Sequence, residues 1–218
     1  MANRKDMSNP WLSVPAADYE GHMGSPNVRQ LELLSRVFGE LMVEFDPESL
    51  LLLGCATGNG LENIGRGRLR RLVGLDINPE YLEVCRKRHG ESIPGLELVC
   101  ADIASFELEA ASMDFIHAAL FFEYVDPVSA VKKISRWLKP RGVLAVVLQL
   151  PCDSCGTVSD TGFTSVKTLE SAIRLVDPAL LDRLVREHGF SGIKSARETL
   201  ESGKEFFLSV YRLESAHG

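Results

Sequence analysis

The residues with most bearing on chemistry stand together in Leu51-Leu52-Leu53-Gly54-Cys55-Ala56-Thr57-Gly58-Asn59-Gly60-Leu61, an apolar run entering a turn with three glycines. Glycine tolerates positive φ and lets a ligand approach the main chain, and a helix start after the turn offers free amides. Twenty-two residues after Gly54 a second apolar run ends in Gly74-Leu75-Asp76. A carboxylate there can accept hydrogen bonds from both vicinal hydroxyls of a ribose, as an adenosine-containing cofactor requires. A third run ends in Ala101-Asp102-Ile103. Separately, these features read as a tightly packed turn and a helix cap at Asp76 for residues 78–88. In chain order they point to a cofactor site.

Such a site needs strands to carry it. From Pro47 onward short apolar runs alternate with helical stretches, the pattern of a parallel sheet with crossover helices. The strands are expected at Leu50–Leu53, Arg71–Leu75, Glu97–Cys100, Asp114–Ala118 and Val143–Leu148, with helices between them. Pro79 and Pro127 open two of those helices, and Lys139-Pro140 ends the second. A further helix spans Pro178–His188 and stops at Gly189. Ser191–Thr199 and Glu205–Leu213 then read as two strands whose short link, Glu201-Ser202-Gly203-Lys204, forces antiparallel pairing. Ahead of the sheet, residues 1–25 read as an irregular leader. A helix from Ser25, with Pro26 in its first turn, carries Leu31, Leu34, Phe38, Leu41, Met42 and Phe45 at helical spacing.

The ordered motifs Leu-Gly-Cys-Ala-Thr-Gly-Asn-Gly, Gly-Leu-Asp, Ala-Asp-Ile and Leu-Lys-Pro-Arg-Gly resemble those of the class I S-adenosylmethionine-dependent methyltransferases over about residues 48–213. The resemblance implies an α/β, Rossmann-like, doubly wound mixed sheet of seven strands, the last antiparallel, with an N-terminal helical cap. It divides the chain into a leader and cap helix, 1–45, and a cofactor-binding methyltransferase domain, 46–218. It implies S-adenosyl-L-methionine as cofactor, in a slot lined by Gly54, Cys55, Ala56, Thr57, Gly58, Asn59, Gly60, Asp76, Ile77, Asp102, Ile103 and Leu120. Asp76 would hold the ribose, and Asp102 with its neighbour would reach the adenine. The chain departs from the family pattern at Leu52, where a carboxylate often stands, at Ala56, usually glycine, and at Arg141. With Leu52 in place of the acid, recognition of the methionine amine must come from elsewhere.

Displacement at a sulfonium gains most from alignment, worth up to about 7–11 kcal/mol, and needs a base only when the acceptor must lose a proton. Glu123, after the fourth strand, is a candidate base or polar anchor, with a helix-preceding acid as the alternative. Tyr124 can stabilise a sulfonium by cation–π contact. Tyr19, His22 and Met23 in the leader are candidates for a lid, His22 being a third catalytic candidate or else a solvated loop histidine. Tyr19, Phe121 and Gln149 are the candidate acceptor contacts, although Phe121 and Phe122 also suit a core. His117 reads as a hydrogen-bonded core residue, and His89, His188 and His217 as structural.

Composition narrows the alternatives. The 24 Lys and Arg against 30 Asp and Glu give a net charge of −6, which disfavours nucleic acid and leaves a small-molecule acceptor as the expectation. No apolar run approaches a membrane span, and the polar stretch Met1–Ser8 does not resemble a secretory signal, so a cytoplasmic protein is expected. Cys55, Cys85, Cys100, Cys152 and Cys155 read as mostly buried thiols without a disulfide framework or metal site. Pro151-Cys152 also resembles the nucleophile motif of cytosine C5 methyltransferases, against which the acidic charge argues. A nicotinamide dehydrogenase would need glycine at 56 and 59, and no P-loop is present. A catalytically silent S-adenosylmethionine-binding sensor or partner subunit is the alternative to the enzyme. The oligomeric state is not legible.

Overall fold

A computed structural model of the protein describes residues 9–65, 67–93, 95–152 and 155–215; the expectations placed on Met1–Ser8 and His217 lie outside these. Seven strands form one sheet: β1 (Ser49–Leu53), β2 (Arg71–Asp76), β3 (Leu96–Cys100), β4 (Met113–Ala119), β5 (Leu138–Gln149), β6 (Phe190–Thr199) and β7 (Glu205–Leu213). Their order is β3-β2-β1-β4-β5-β7-β6, with β1 to β5 mutually parallel and β7 antiparallel to both neighbours. The direction of strand order reverses between β1 and β4, and open α/β sheets bind ligands at the carboxyl edge beside such a reversal.

Burial on both faces explains the unbroken apolar runs. Leu51 and Leu53 face one core cluster with Ile116, Val146 and Trp137, while Leu50 and Leu52 face a second with Phe38, Phe115 and Val210. At about 1.5–3 kcal/mol for each fully buried leucine, β1 is among the best-anchored strands. Leu52, which stands where the family often has an acid, is thus a core residue.

Helices α1 (Ala16–Met23), α2 (Gln30–Phe45), α3 (Pro79–His89), α4 (Pro127–Trp137), α5 (Thr164–Lys167) and α6 (Pro178–Glu187) complete the fold. Asn78, Asp126 and Asp177 cap α3, α4 and α6, each followed by proline, so the sequence signals for these starts hold.

Several expectations are corrected. The leader is not irregular, since it holds α1 and a 3-10 turn at Pro10–Ser13. The α2 helix begins at Gln30, not Ser25, because Arg29 takes the left-handed conformation at φ 49°. Its buried face is Leu33, Val37, Phe38 and Leu41, with Leu31, Leu34, Met42 and Phe45 only partly covered. No α-helix follows the glycine turn among the described residues, only a 3-10 turn at Leu61–Asn63. The stretch from Gly65 to Arg70 has no apolar period to bury, which accounts for the missing helix. Cys100 is exposed, and Cys152 is bonded to Cys155 across a Cα separation of 5.5 Å, so neither is a buried thiol.

Candidate active site

One cavity of about 170 Å³ opens over the carboxyl ends of β1, β2, β4 and β5. On its β1–β2 side the glycine turn is shaped by positive φ at Gly54 (69°), Ala56 (45°), Gly58 (87°) and Gly60 (94°). Gly54 and Ala56 face the cavity. Asp76 locks the turn, accepting from the Ala56 amide at 2.8 Å and the Asn78 amide at 2.9 Å. Burial raises its carboxyl above the usual range, and these backbone donors pull in the opposite direction. Each oxygen keeps a second lone pair, and Asp76 lines the cavity with Leu75, Ile77, Ala101, Asp102 and Ile103.

The remaining glycines serve packing. An added Cβ at Gly58 would lie 2.8 Å from Cys85 Sγ and from His89 Cδ2 on α3, and one at Gly60 would press Phe38 on α2. Gly58→Ala is expected to destabilise the fold by at least about 1–2 kcal/mol, the cost of the left-handed conformation for a residue with a Cβ. Urea unfolding measures this, and an unmoved midpoint would show the turn tolerating a side chain.

Of the residues expected in the slot, Gly54, Ala56, Asp76, Ile77, Asp102, Ile103 and Leu120 line the cavity, whereas Cys55, Thr57, Gly58, Asn59 and Gly60 do not. Cys55 turns its sulfur toward Gly74 of β2, and Asn59 donates to the Leu31 carbonyl at 3.2 Å.

The leader forms the wall above Asp76. Trp11 meets Tyr124 edge-on at 5.0 Å, and Tyr19 lies 5.1 Å from Tyr81, all four rings lining the cavity. Polar contacts tether this wall to α3: Asn78 Nδ2 donates to the carbonyls of Trp11 at 2.9 Å and Val14 at 3.3 Å, the Ala16 amide donates to Glu80 Oε1 at 3.0 Å, and Glu20 pairs with Arg88. The Arg88 guanidinium holds Glu20 below the usual carboxylate range.

Past β4, Glu123 is buried and accepts from the Gln149 amide at 2.8 Å through Oε1, while Oε2 is buried with no partner. Burial raises its carboxyl to about 7. It is therefore not an exposed acid ahead of α4. The helix is capped by Asp126 instead. Phe122 is core and Phe121 lines the cavity.

His22 is not a solvated loop residue: it is buried within α1, and its Nδ1 lies 2.7 Å from Thr161 Oγ1. Burial, with the nearby Lys204 charge, lowers it to about 4 and keeps it neutral at physiological pH. His117 is a core residue as expected, but its Nδ1 has no hydrogen-bond partner, and burial lowers its pKa to about 4.

The cavity brings together Glu123, Tyr124, His22, Tyr19, Phe121 and Gln149, and adds residues that sequence reasoning missed: Trp11, Gln30, Tyr81, Thr157 and Lys204. Lys204 reaches the site through the pairing of β7 with β5. A strand antiparallel to β5 must start beside β5's carboxyl end, which carries the preceding turn to the site.

An adenosine-containing cofactor fits this donor set. Tyr81 Oη and Glu123 Oε2 are both buried without partners, and both residues line the cavity. Unpaired buried polar atoms are costly unless a ligand or water meets them.

The methyltransferase-domain family profile matches residues 51–146. A carboxy-S-adenosyl-L-methionine synthase of Glaesserella parasuis is 34% identical over 109 residues, covering 46% of this chain and 44% of that protein. An uncharacterized methyltransferase-like protein of Schizosaccharomyces pombe is 31% identical over 103 residues, 47% of this chain and 39% of that one. The chain spans less than half the length of these curated relatives. Among solved structures, the N-methyltransferase NodS of Bradyrhizobium japonicum, in complex with S-adenosyl-L-homocysteine, superposes with a TM-score of 0.64 at 14% identity, covering 87% of this chain and 89% of that one. The [4+2]-cyclase SpnF superposes at 0.66 with 15% identity, covering 87% and 84%. These likenesses show the fold. A cyclase among them illustrates that fold alone does not select the reaction.

Proposed function

We propose that this chain is a class I S-adenosylmethionine-dependent methyltransferase, a reading supported by the matching methyltransferase-domain profile, and that it transfers a methyl group from S-adenosylmethionine to a small-molecule acceptor. The observation that carries the reading is the meeting, in one cavity, of the glycine turn, Asp76 and Asp102 with a buried, half-paired Glu123. When bound, the cofactor supplies an electrophilic methyl on a sulfonium.

The chain's own residues do the rest. Asp76 accepts from the ribose hydroxyls, Asp102 with Ile103 borders the adenine, and the main chain at Gly54 and Ala56 takes the methionyl end. Trp11, Tyr19 and Tyr124 keep water from the transfer zone and offer ring faces to a cation. Glu123, as carboxylate, takes the proton of the acceptor, and Phe121 and Gln149 shape its berth. A cavity of about 170 Å³ and a net charge of −6 favour a small molecule over nucleic acid.

Among the described residues no helix is long and apolar enough to cross a membrane. Cytoplasmic residence belongs to the same proposal; the unbridged thiols Cys55, Cys85 and Cys100 favour it, and the Cys152–Cys155 bridge weighs against it.

Calorimetry tests the cofactor. S-adenosylhomocysteine is expected to bind at micromolar or tighter concentration while NADH does not, and the reverse preference would move the chain to the dehydrogenases. A silent cofactor-binding protein separates on turnover, since the enzyme releases S-adenosylhomocysteine when given a metabolite extract. Binding with no release from any fraction would favour the silent form.

A further inference from the structure

Lys204 lies in the turn between β6 and β7, where a solvated side chain is the ordinary outcome, yet it is 1% exposed and lines the cavity. Its Nζ donates to the Thr157 carbonyl at 2.9 Å, and no Asp or Glu among the described residues lies within ion-pair reach. An ammonium has three donors, so two are left for something else in a place where an unpaired charge is costly. Burial lowers its pKa only to about 8, leaving it charged at neutral pH.

The register shows which end of the cavity this is. Gln149 of β5 faces Phe206 of β7, so Lys204 projects past the carboxyl end of β5. Asp76 is on β2, four strand positions away, roughly 19 Å at the usual interstrand spacing. Gln149 links the lysine to the proposed base. Its amide holds Glu123 Oε1 at 2.8 Å, and its Nε2 donates at 2.9 Å to the same Thr157 carbonyl that Lys204 meets. The lysine and the glutamate thus flank one compartment beyond the cofactor end.

We propose that the methyl acceptor carries a carboxylate and that Lys204 binds it, holding the nucleophilic end of the molecule toward Glu123. The proposal deepens the methyltransferase reading and rests on it. A single buried cation beside neutral amides matches a monoanion. A phosphate dianion would need further positive charge, and the compartment instead holds the acid Glu123.

Titration calorimetry with S-adenosylhomocysteine-loaded protein tests this, using acetate, benzoate and phenylacetate against their amides, with inorganic phosphate as a further arm. At least one carboxylate is expected to bind tenfold or more tightly than its amide. Lys204→Met should cut that preference below twofold and leave S-adenosylhomocysteine affinity unchanged. A preference that is absent, or that survives in Lys204→Met, overturns the proposal. So does phosphate binding more tightly than every carboxylate, or a tenfold loss of S-adenosylhomocysteine affinity in the variant, which would place the lysine on the cofactor. Failure of S-adenosylhomocysteine to bind the unaltered protein is seen before any acid is added and counts against the methyltransferase reading. The same titrations into cofactor-free protein still read the lysine. Since removing a buried charge can alter packing, the preference in the unaltered protein stands as an independent reading.

Discussion

Replacing Glu123 with glutamine is expected to lower turnover by about 10²–10⁴-fold, the usual contribution of a positioned base, while cofactor affinity stays within a factor of two. Glutamine keeps the size of the side chain and an oxygen for the Gln149 amide, so packing is preserved and the proton acceptor is lost. Burial places the carboxyl near 7, and activity in the unaltered enzyme should rise as pH passes through that value, since only the ionised form accepts a proton. Glu123→Gln should flatten this rise. Full activity with an unchanged pH profile would leave Glu123 a structural acid.

The same shift predicts a stability effect with a definite sign. A carboxyl raised from 4.5 to about 7 on folding adds stability that is fully present below 4.5 and is lost as pH climbs through 7. The loss is on the order of 3 kcal/mol at about 1.4 kcal/mol per unit. Glu123→Gln has no such titration, so its stability relative to the unaltered protein should improve between pH 5 and about 8. Urea midpoints across that range decide it, and parallel curves would mean the carboxyl is not buried in solution.

Asp76→Ala is expected to weaken S-adenosylhomocysteine binding by about 1.5–3 kcal/mol, or roughly 10- to 150-fold, because a charged acceptor for the ribose is removed. The carboxylate also holds the amides of Ala56 and Asn78, so the variant leaves two donors without their acceptor and loosens the turn. Asp76→Asn loses the charge but keeps one oxygen, enough to accept from only one of these two amides, so it should loosen the turn less than alanine does. Adenosine affinity should fall in step with that of S-adenosylhomocysteine in both variants. Unchanged affinity in folded protein would remove the ribose role.

The parts of this protein legible from its sequence are those encoded by contiguous residues. Runs of leucine and valine specify strands buried on both faces, and proline after an asparagine or aspartate marks the starts of α3, α4 and α6. The short link before β7 admits only an antiparallel return. The cofactor end was legible in the same way, because Gly54 and Asp76 each terminate a strand and parallel pairing brings such ends to one edge.

Other features depended on contacts between segments far apart in the chain. The α1 helix has little apolar period of its own and is held by Glu80, Arg88 and Thr161, none of them near it in sequence. Burial of Glu123 is decided by Gln149, and that of His22 by the segment around Thr161. The acceptor end was hidden for the same reason. Lys204 in a Ser-Gly-Lys turn is indistinguishable locally from a solvated lysine. Only the pairing of β7 with β5, which sets that turn against Thr157, removes water from the side chain and makes its unpaired charge informative. Propensity and periodicity act over a few residues, whereas desolvation is a property of the assembled fold, so the sequence determined the sheet and its cofactor edge and the tertiary structure alone decided which polar groups lie buried beside it.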